Sequence, residues 1–402
     1  MLLMYHLSLL ASVASAFPGQ WPRPGPPGSH TASAAYFLEN NPHGSNIVSL
    51  QIGTNGHLSD PTRTPTGGVG SLMVNATGFQ NTADTLGSQG SVVVSGNYLF
   101  TVNAGSNTLS MFEIDEWDPC HPRLIGSPVD TLGQFPISVD YSPKLRQACV
   151  LNGGAVAGVA CFSVDPQRGL VPSGSLRALP SSVIDETTPP SGPPGSAAQV
   201  LFNPSSTALF ATIKGNAGST PAKLGSFAAW PVEQDGIISH ESPVVTQVSD
   251  IFMNFGFTFI EDHRIFLSDP SFGASILTAQ ENLTIVEDTH VVIPGQVAVC
   301  WTQYWQSADT LYAIDAGTHD VYTLSATTAV LGSPIVMSAP ASSGNITGLF
   351  DSAIKDGLMY SLTDVNGISV TGLAEKRLVQ YLDLEGFGQR QYYMGMATWP
   401  SW

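Results

Sequence analysis

The sequence predicts an all-β fold, a seven-bladed β-propeller of four-stranded blades. The first observation is a repeated phrase of three apolar runs separated by two tight turns, with a polar residue closing the second run. The second is the number of copies, seven, which start roughly 45–60 residues apart and therefore indicate a solenoid, a propeller or an array. The third is the lack of any helical period between the runs, which favours the propeller.

The clearest copy is VVVSGNYLFTVNAGSNTLSMFEID at residues 92–115. The other copies are less regular but keep the order of runs and turns. They lie at residues 34–52 (a reduced copy), 137–165, 200–233, 257–280, 297–326 and 346–373. Because each blade buries its faces against two neighbours, 402 residues suit one domain. The 40 glycines and 29 prolines are typical of a chain rich in turns.

Three segments are predicted along the chain. Residues 1–16 (MLLMYHLSLLASVASA) match a secretory signal peptide, because an apolar segment precedes a small-residue Ala-Ser-Ala cleavage site. The alternative, a membrane anchor, needs ~20 apolar residues. Residues 17–33 form a Pro/Gly-rich lead-in, and residues 34–402 form the single propeller domain. The C-terminal sequence has no apolar tail, so no GPI anchor is expected.

The charge balance excludes some partners. Fourteen basic residues against 31 acidic ones give a formal net charge of −17. Nucleic-acid binding requires a basic surface, and attraction to an anionic membrane requires the same, so neither is expected. A soluble protein of the cell exterior fits this composition, and we expect it at the cell wall or cell surface.

Sequons and cysteines agree with an oxidising, glycosylating route. Glycosylation is predicted at Asn75, Asn282 and Asn345, each of which is followed by Ala-Thr, Leu-Thr or Ile-Thr. Four cysteines allow three pairings. Cys149 and Cys161 lie on consecutive runs of one copy, so a hairpin would bring them together. That pairing leaves Cys120 and Cys300 as a second pair, and two free buried thiols are the alternative.

A ring of polar residues is predicted on one rim of the channel. In a blade, the first strand begins at the rim to which the second strand returns, so the residue that closes the second run faces this rim. The seven positions are Glu39, Asn103, Asn152, Lys214, Asp269, Asp315 and Asp364. Such a ring could contact a cation, a polyol or a sugar. Asn and Asp before Gly are also typical of hairpin turns, so a turn role competes with the ligand role at each position.

Chemical motifs are scarce elsewhere. The chain has no G-x-S-x-G elbow, no histidine pairing that indicates a triad and no Cys/His spacing typical of zinc, so no metal and no cofactor are predicted. Trp301, Tyr304 and Trp305 place three rings around one hairpin. They suit stacking on a sugar or peptide, but packing between neighbouring blades is favoured.

The repeats resemble those of a known family. The phrases NYLFTVNAGSNTLSMFEID (97–115) and VACFSVDPQRGLVPSGSL (159–176) are similar to those of lactonase-type seven-bladed propellers, which include 6-phosphogluconolactonases and fungal 3-carboxy-cis,cis-muconate cyclases. The resemblance covers roughly residues 34–385 and lies in the phrasing of the repeats. Together with the leader and sequons, it implies a secreted cyclase-like glycoprotein of fungal cell walls, a group that includes a Sporothrix antigen and adhesin.

The catalytic pattern that the resemblance implies is not matched. A histidine is expected where this chain has Gln134–Val139, and an arginine where it has Pro194–Gln199. A carboxylate is expected near Ile213–Lys214, and a second arginine near Asp269–Ser271. A lactone requires an electrophilic clamp and a proton donor, and these stretches supply neither. The scaffold is retained and the cyclase chemistry is lost in this interpretation, which leaves activity an open question.

Three functions remain after these observations. The first, which we favour, is a non-catalytic cell-wall glycoprotein that acts as an adhesin and antigen and binds host extracellular-matrix proteins or glycans. The second is a lactonase or cyclase-type enzyme with a rearranged rim site in which Asp269, Asp315 and Asp364 serve as acids or metal ligands. The third is a structural wall component without a specific ligand.

Overall fold

Seven antiparallel sheets surround a central channel in the computed structural model, which describes residues 32–80, 83–337 and 346–400. The predicted seven-bladed, all-β architecture is confirmed. The predicted signal peptide, nearly all of the lead-in and Asn345 lie outside the described residues.

The strands follow the chain blade by blade. Blade 1 contains β1 (Ser33–Glu39), β2 (Asn46–Ile52) and β3 (Leu58–Pro65). Blade 2 contains β4 (Val92–Ser95), β5 (Tyr98–Asn103), β6 (Thr108–Asp115), β7 (Asp118–Leu124) and the short β8 (Val129–Asp130). Blade 3 contains β9 (Pro136–Ser142), β10 (Gln147–Asn152), β11 (Gly158–Asp165), β12 (Gly169–Pro172) and the short β13 (Arg177–Ala178).

The remaining blades have four strands each. Blade 4 contains β14 (Ala197–Phe202), β15 (Ala208–Ile213), β16 (Ser226–Pro231) and β17 (Val244–Thr246). Blade 5 contains β18 (Phe257–Phe259), β19 (Arg264–Asp269), β20 (Gly273–Ala279) and β21 (Ile285–Val292). Blade 6 contains β22 (Val299–Trp305), β23 (Thr310–Asp315), β24 (Asp320–Ser325) and β25 (Ile335–Val336). Blade 7 contains β26 (Leu349–Lys355), β27 (Leu358–Thr363), β28 (Gly367–Gly372) and β29 (Arg377–Asp383). Single-turn 3-10 helices span Gln306–Ala308 and Arg390–Tyr392.

The last strand, β30 (Tyr393–Trp399), closes the ring. It pairs with β1, with Ala34 opposite Trp399, and becomes the innermost strand of blade 1. All seven of its residues are buried. The copy at 34–52 is reduced for this reason, because the N-terminal region supplies only the outer strands of its blade.

Burial explains why the inner runs are continuously apolar or small. All six residues of β10 (QACVLN) and of β15 (ALFATI) are buried, since neighbouring blades cover both faces of the sheet. The outer strand β21 shows mostly exposed positions, because its sheet edge meets solvent. The channel is lined by the innermost strand of each blade: β4, β9, β14, β18, β22, β26 and β30.

Candidate functional site

The predicted ring lies on one rim, which we call the upper rim. In every blade the second strand ends where the antiparallel first strand begins. Five of the residues close their strands and two follow them by one position: Glu39, Asn103, Asn152, Asp269 and Asp315, then Lys214 and Asp364. Asp364 is partly exposed, whereas the other six are at most 4% exposed. Burial on this scale requires internal partners.

Three acidic ring members bind backbone amides of the loop that enters their own blade. The Asp269 carboxylate accepts hydrogen bonds from the N–H groups of Phe252 and Met253, both at 2.8 Å. The Asp315 carboxylate accepts from the N–H of Val297 at 2.9 Å and from two further amides. Asp364 accepts from the N–H of Thr347 at 2.9 Å. A carboxylate after the second strand therefore fastens the loop that leads into the first.

The other ring members are also engaged. Glu39 forms an ion pair with Arg63 at 2.7 Å, and Asn103 Nδ2 donates to Ser110 Oγ at 2.8 Å. Asn152 Nδ2 donates to the carbonyl oxygen of Thr131, and the side-chain Oδ1 of Asn152 is buried without a partner. Lys214 differs from the rest because its side chain reaches the centre of the channel.

A segment that the repeats did not predict occupies that centre. Residues 84–91, which we call the plug segment, connect the outer part of blade 1 to β4 and cross the channel at the upper rim. The Gln89 side chain donates from Nε2 to the carbonyl oxygen of Thr302 at 3.1 Å and accepts from the Thr302 N–H at 3.0 Å. The N–H of Gln89 donates to the carbonyl oxygen of Ala198 at 3.2 Å. The plug segment thus joins the first strands of blades 4 and 6.

Ser88 extends these contacts to a third blade. Its hydroxyl donates to the carbonyl oxygen of Ile137 in β9 at 2.9 Å, and its own carbonyl accepts from Trp301 Nε1 at 3.1 Å. Because blades 3, 4 and 6 are all engaged, the segment is held across the channel rather than along one wall.

Lys214 and Asp84 fix the first half of the plug segment. The Lys214 ammonium donates to the carbonyl oxygens of Gly87 and Ala197, both at 2.7 Å, and lies 4.7 Å from the centre of the Phe255 ring. Burial lowers the pKa of Lys214 to about 8, although the Asp84 charge opposes this. The Asp84 carboxylate accepts from the Gly87 N–H at 2.8 Å, and burial raises its pKa to about 6.

A second buried pair lies beside the first. Arg390 donates from Nη1 to the carbonyl oxygen of Tyr393 at 2.9 Å, and its guanidinium lies 4.6 Å from the centre of the Phe350 ring. Burial lowers the pKa of Arg390 to about 10. Burial, helped by repulsion from Asp84, raises the pKa of Asp351 to about 8. The Nη2 atom of Arg390 is buried without a hydrogen-bond partner.

The four charged groups around the plug segment have shifted pKa values, as catalytic groups often do, but their hydrogen bonds differ from those of a catalytic site. A lysine and carboxyl groups with shifted pKa values in a channel are typical of functional sites. The hydrogen bonds of the Lys214 ammonium end on backbone carbonyls, and the Asp84 carboxylate accepts from the backbone of the plug segment itself. The charges therefore clamp the plug segment. In residues 32–80, 83–337 and 346–400, no group of three His, Cys, Asp or Glu residues could hold a metal ion.

The three aromatic rings of the hairpin that begins with β22 have different surroundings. Trp301 is 1% exposed and packs between Phe255 and Phe350, with ring centres 5.2 and 5.1 Å away. Packing between blades therefore accounts for this ring, as predicted. Tyr304 and Trp305 are half-buried and line the opposite mouth of the channel.

The stretches where the family resemblance implied catalytic residues have structural contacts. Ile137 and Val139 of β9 are 1% exposed, and Gln199 accepts from the N–H of Phe257 at 2.7 Å. The groups beside the plug segment whose pKa values are shifted are instead Asp84, Lys214, Asp351 and Arg390. Of these four residues, the sequence indicated only Lys214. The other three do not lie at the end of the second strand of a blade, which is the position that the repeats mark.

One disulfide is present, between Cys149 and Cys161, which face each other on β10 and β11. The second pair is not formed, because Cys120 lies on the outer strand of blade 2 while Cys300 lies on the innermost strand of blade 6. Burial raises the pKa of the Cys300 thiol well above its usual range and that of Cys120 to about 11. Both thiols are therefore protonated at neutral pH.

Two sequons share one surface geometry. In each, the threonine hydroxyl donates to the asparagine Oδ1 at 2.7 Å, Thr77 to Asn75 and Thr284 to Asn282. Asn282 is exposed and Asn75 half-buried. Glycosylation of both stays a prediction. Within the described residues, no helix has the length and apolar character needed to cross a membrane.

Comparison with known proteins identifies the fold. No family model and no curated protein matches the chain. Among solved structures, a putative 6-phosphogluconolactonase from Bacteroides fragilis is similar with a TM-score of 0.62 and 11% identity, covering 93% of this chain and 99% of that one. The Pseudomonas aeruginosa periplasmic gluconolactonase has a TM-score of 0.62 and 12% identity, covering 91% and 99%. This chain therefore shares the lactonase-type seven-bladed propeller fold.

Proposed function

We propose that the protein is a secreted, non-catalytic binding protein of the cell wall or cell surface that acts as an adhesin for host matrix proteins or glycans. The observation that carries the non-catalytic part is the plug segment. It crosses the channel at the upper rim and binds the ammonium of Lys214, which is 1% exposed, so this group is not presented to a substrate.

The surface charge suggests the chemistry of the partner. A net charge of −17 favours association with basic protein segments and disfavours anionic glycans and nucleic acids. The turn between β6 and β7 offers a contact point of this kind. Trp117 is 60% exposed there, with Glu116 and Asp118 on either side. Exposed tryptophans supply a large share of the energy in many interfaces.

The first test measures binding of the purified, deglycosylated protein to immobilised laminin, fibronectin and collagen. We expect saturable binding to at least one of them, weakened as salt screens the charges. Trp117→Ala should reduce the affinity about tenfold or more. The matched control is Val292→Ala, which removes an apolar side chain 63% exposed on blade 5 and should leave affinity unchanged. Absence of saturable binding to every matrix protein and glycan tried would refute the adhesin proposal.

A second candidate function is lactone hydrolysis at the upper rim. The observation that favours it is the pKa of Lys214, about 8, beside a carboxyl group with a pKa of about 6. The structural neighbours that are described as gluconolactonases share only the fold. Hydrolysis of gluconolactone and carboxymuconolactone by the wild-type protein, lost in Lys214→Met, would support this function. A wild-type rate equal to the buffer rate would eliminate it.

A further inference from the structure

The lower mouth of the channel is an open funnel of about 950 Å³. Its walls come from the first strands of six blades: β4, β9, β14, β22, β26 and β30. It begins below the plug segment, since Val92 directly follows Ser91, the last plug residue, and Gln303 directly follows Thr302, the partner of Gln89. A cavity of this size is within the range of small-molecule sites.

About half of the wall surface of the funnel is apolar. Val93, Val94, Leu201, Ala353 and Met396 contribute apolar surface. The half-buried rings of Tyr304 and Trp305 stand at the end of β22 and add aromatic surface near the opening. A ligand that fills this space therefore needs a hydrocarbon part.

Two carboxylates line the funnel, Asp140 within the wall and Asp356 at the rim. Asp140, in β9, accepts a hydrogen bond from the N–H of Phe202 at 2.7 Å. No lysine, arginine or histidine in the described part of the chain forms an ion pair with it. Burial raises its pKa to about 6, so the group is mostly ionised at neutral pH. An ionised, half-buried carboxylate without a cation is poorly compensated.

The lysine of the funnel forms its ion pair with another carboxylate. The Lys355 ammonium, on the last residue of β26, forms an ion pair at 3.2 Å with Asp356, which is exposed at the turn. Asp140 lies on the first strand of blade 3 and Lys355 on that of blade 7, so the two belong to different walls.

We propose that the funnel binds a small organic ammonium ion, whose nitrogen donates to the Asp140 carboxylate and whose carbon chain lies against the aliphatic walls. A charge-assisted N–H···O bond compensates the carboxylate, and the aromatic rings near the opening favour a passing cation. A saccharide fits less well, because the apolar half of the wall offers no hydrogen-bond partners to its many hydroxyls. An anion is repelled by the carboxylate. This site is separate from the upper rim and is independent of the adhesin proposal.

Calorimetric titration of the full-length protein at neutral pH tests the proposal with four probes: butylammonium, hexylammonium, hexanol and hexanoate. We expect one hexylammonium ion per chain, and an affinity gain of roughly three- to fourfold for each methylene between butyl and hexyl. Hexanol has the same chain without the charge and should bind at least about tenfold more weakly. Hexanoate should not bind. Equal binding of hexanol and hexylammonium would overturn the proposal, as would no binding of hexylammonium in the millimolar range.

Two variants locate the site. Asp140→Asn keeps an oxygen acceptor for the Phe202 N–H and should weaken hexylammonium binding about thirtyfold or more. Asp356→Asn removes an exposed carboxylate at the rim of the same funnel and should change affinity by less than about threefold. If Asp356→Asn abolishes binding and Asp140→Asn does not, the assignment of the carboxylate is wrong. Thermal melting of both variants confirms that each is folded.

Discussion

A buried charge in this protein is stabilised by partners far away in the sequence. The Lys214 ammonium is 127 residues from Gly87, whose carbonyl it binds, and it also binds the carbonyl of Ala197. Removing such a group deprives two carbonyls of this donor and removes the positive charge that favours the ionised form of Asp84. Lys214 is therefore a structural fastener at a position where the repeat pattern indicated only a rim residue.

Lys214→Met should lower the free energy of unfolding by about 2–4 kcal/mol, because the hydrogen bonds are lost while the aliphatic stem is retained. Lys144→Met is the matched control, since this exposed lysine donates only to the carbonyl of Ser205 at 2.8 Å. The control should cost less than about 1 kcal/mol. Urea denaturation of both variants measures the difference, and equal losses would show that Lys214 does not fasten the plug segment.

At the scale of the element, the plug segment is an insertion that the blades themselves do not require. The connection from β3 to β4 runs over residues 66–91, whereas residues 293–298 suffice to join β21 of blade 5 to β22 of blade 6. Glycine at 256 permits the close approach of the segment, because a Cβ there would collide with the Gln89 side chain and lie 2.8 Å from the Cys300 carbonyl oxygen. The channel wall is therefore shaped to accept this segment.

Gln89→Ala should loosen the plug segment without unfolding the blades. The substitution removes both side-chain hydrogen bonds to Thr302 and should cost about 1–3 kcal/mol. Amide hydrogen exchange over residues 84–91 should accelerate, while exchange in β10 and β15 stays unchanged. Gln51→Ala, at an exposed position of β2, is the control and should change neither. Unaltered exchange in the Gln89 variant would mean that the segment is held by other contacts.

At the scale of the whole molecule, buried carboxyl groups tie stability to pH. Burial raises the pKa of Asp84 and Asp140 to about 6 and that of Asp351 to about 8. Each group therefore binds its proton more tightly in the folded chain than in the unfolded chain. The stability that comes from this protonation is complete below the ordinary pKa of aspartic acid, and it is lost as the pH rises through 6 and then 8. Acidification also reduces the self-repulsion of a chain with a net charge of −17.

We therefore expect the melting temperature to rise by several degrees from about pH 8 to about pH 4.5. Asp351→Asn should flatten the upper part of this profile, between about pH 6 and pH 8, because the amide does not titrate. Asp383→Asn, at an exposed position that closes β29, should leave the profile intact. Differential scanning calorimetry in matched buffers supplies the comparison. A melting temperature that falls steadily on acidification below neutral pH would contradict the raised pKa values of these aspartates.

The sequence predicted the features that depend on the order of residues within one repeat. It missed the features that depend on contacts between residues of different blades. The strand runs, the position of Asp315 at a strand end and the Cys149–Cys161 pair all follow from register within one copy. Asp84 and Arg390 lie in connections between blades, where no repeat fixes their position, and their surroundings are set by residues of other blades. The predicted pairing of Cys120 with Cys300 was wrong for the same reason. It was inferred only because the other two cysteines pair with each other, and this gives no information on the distance between Cys120 and Cys300 in the fold.

The pairing of β1 with β30 has one further consequence. Ala34 and Trp399 lie opposite each other on adjacent strands, so a few residues of linker would span the gap between them. A circular permutant, joined at this point and opened in the connection between β17 and β18, would contain the same seven sheets in the same neighbourhood. We therefore expect the closed ring to tolerate chain termini in a blade other than blade 1.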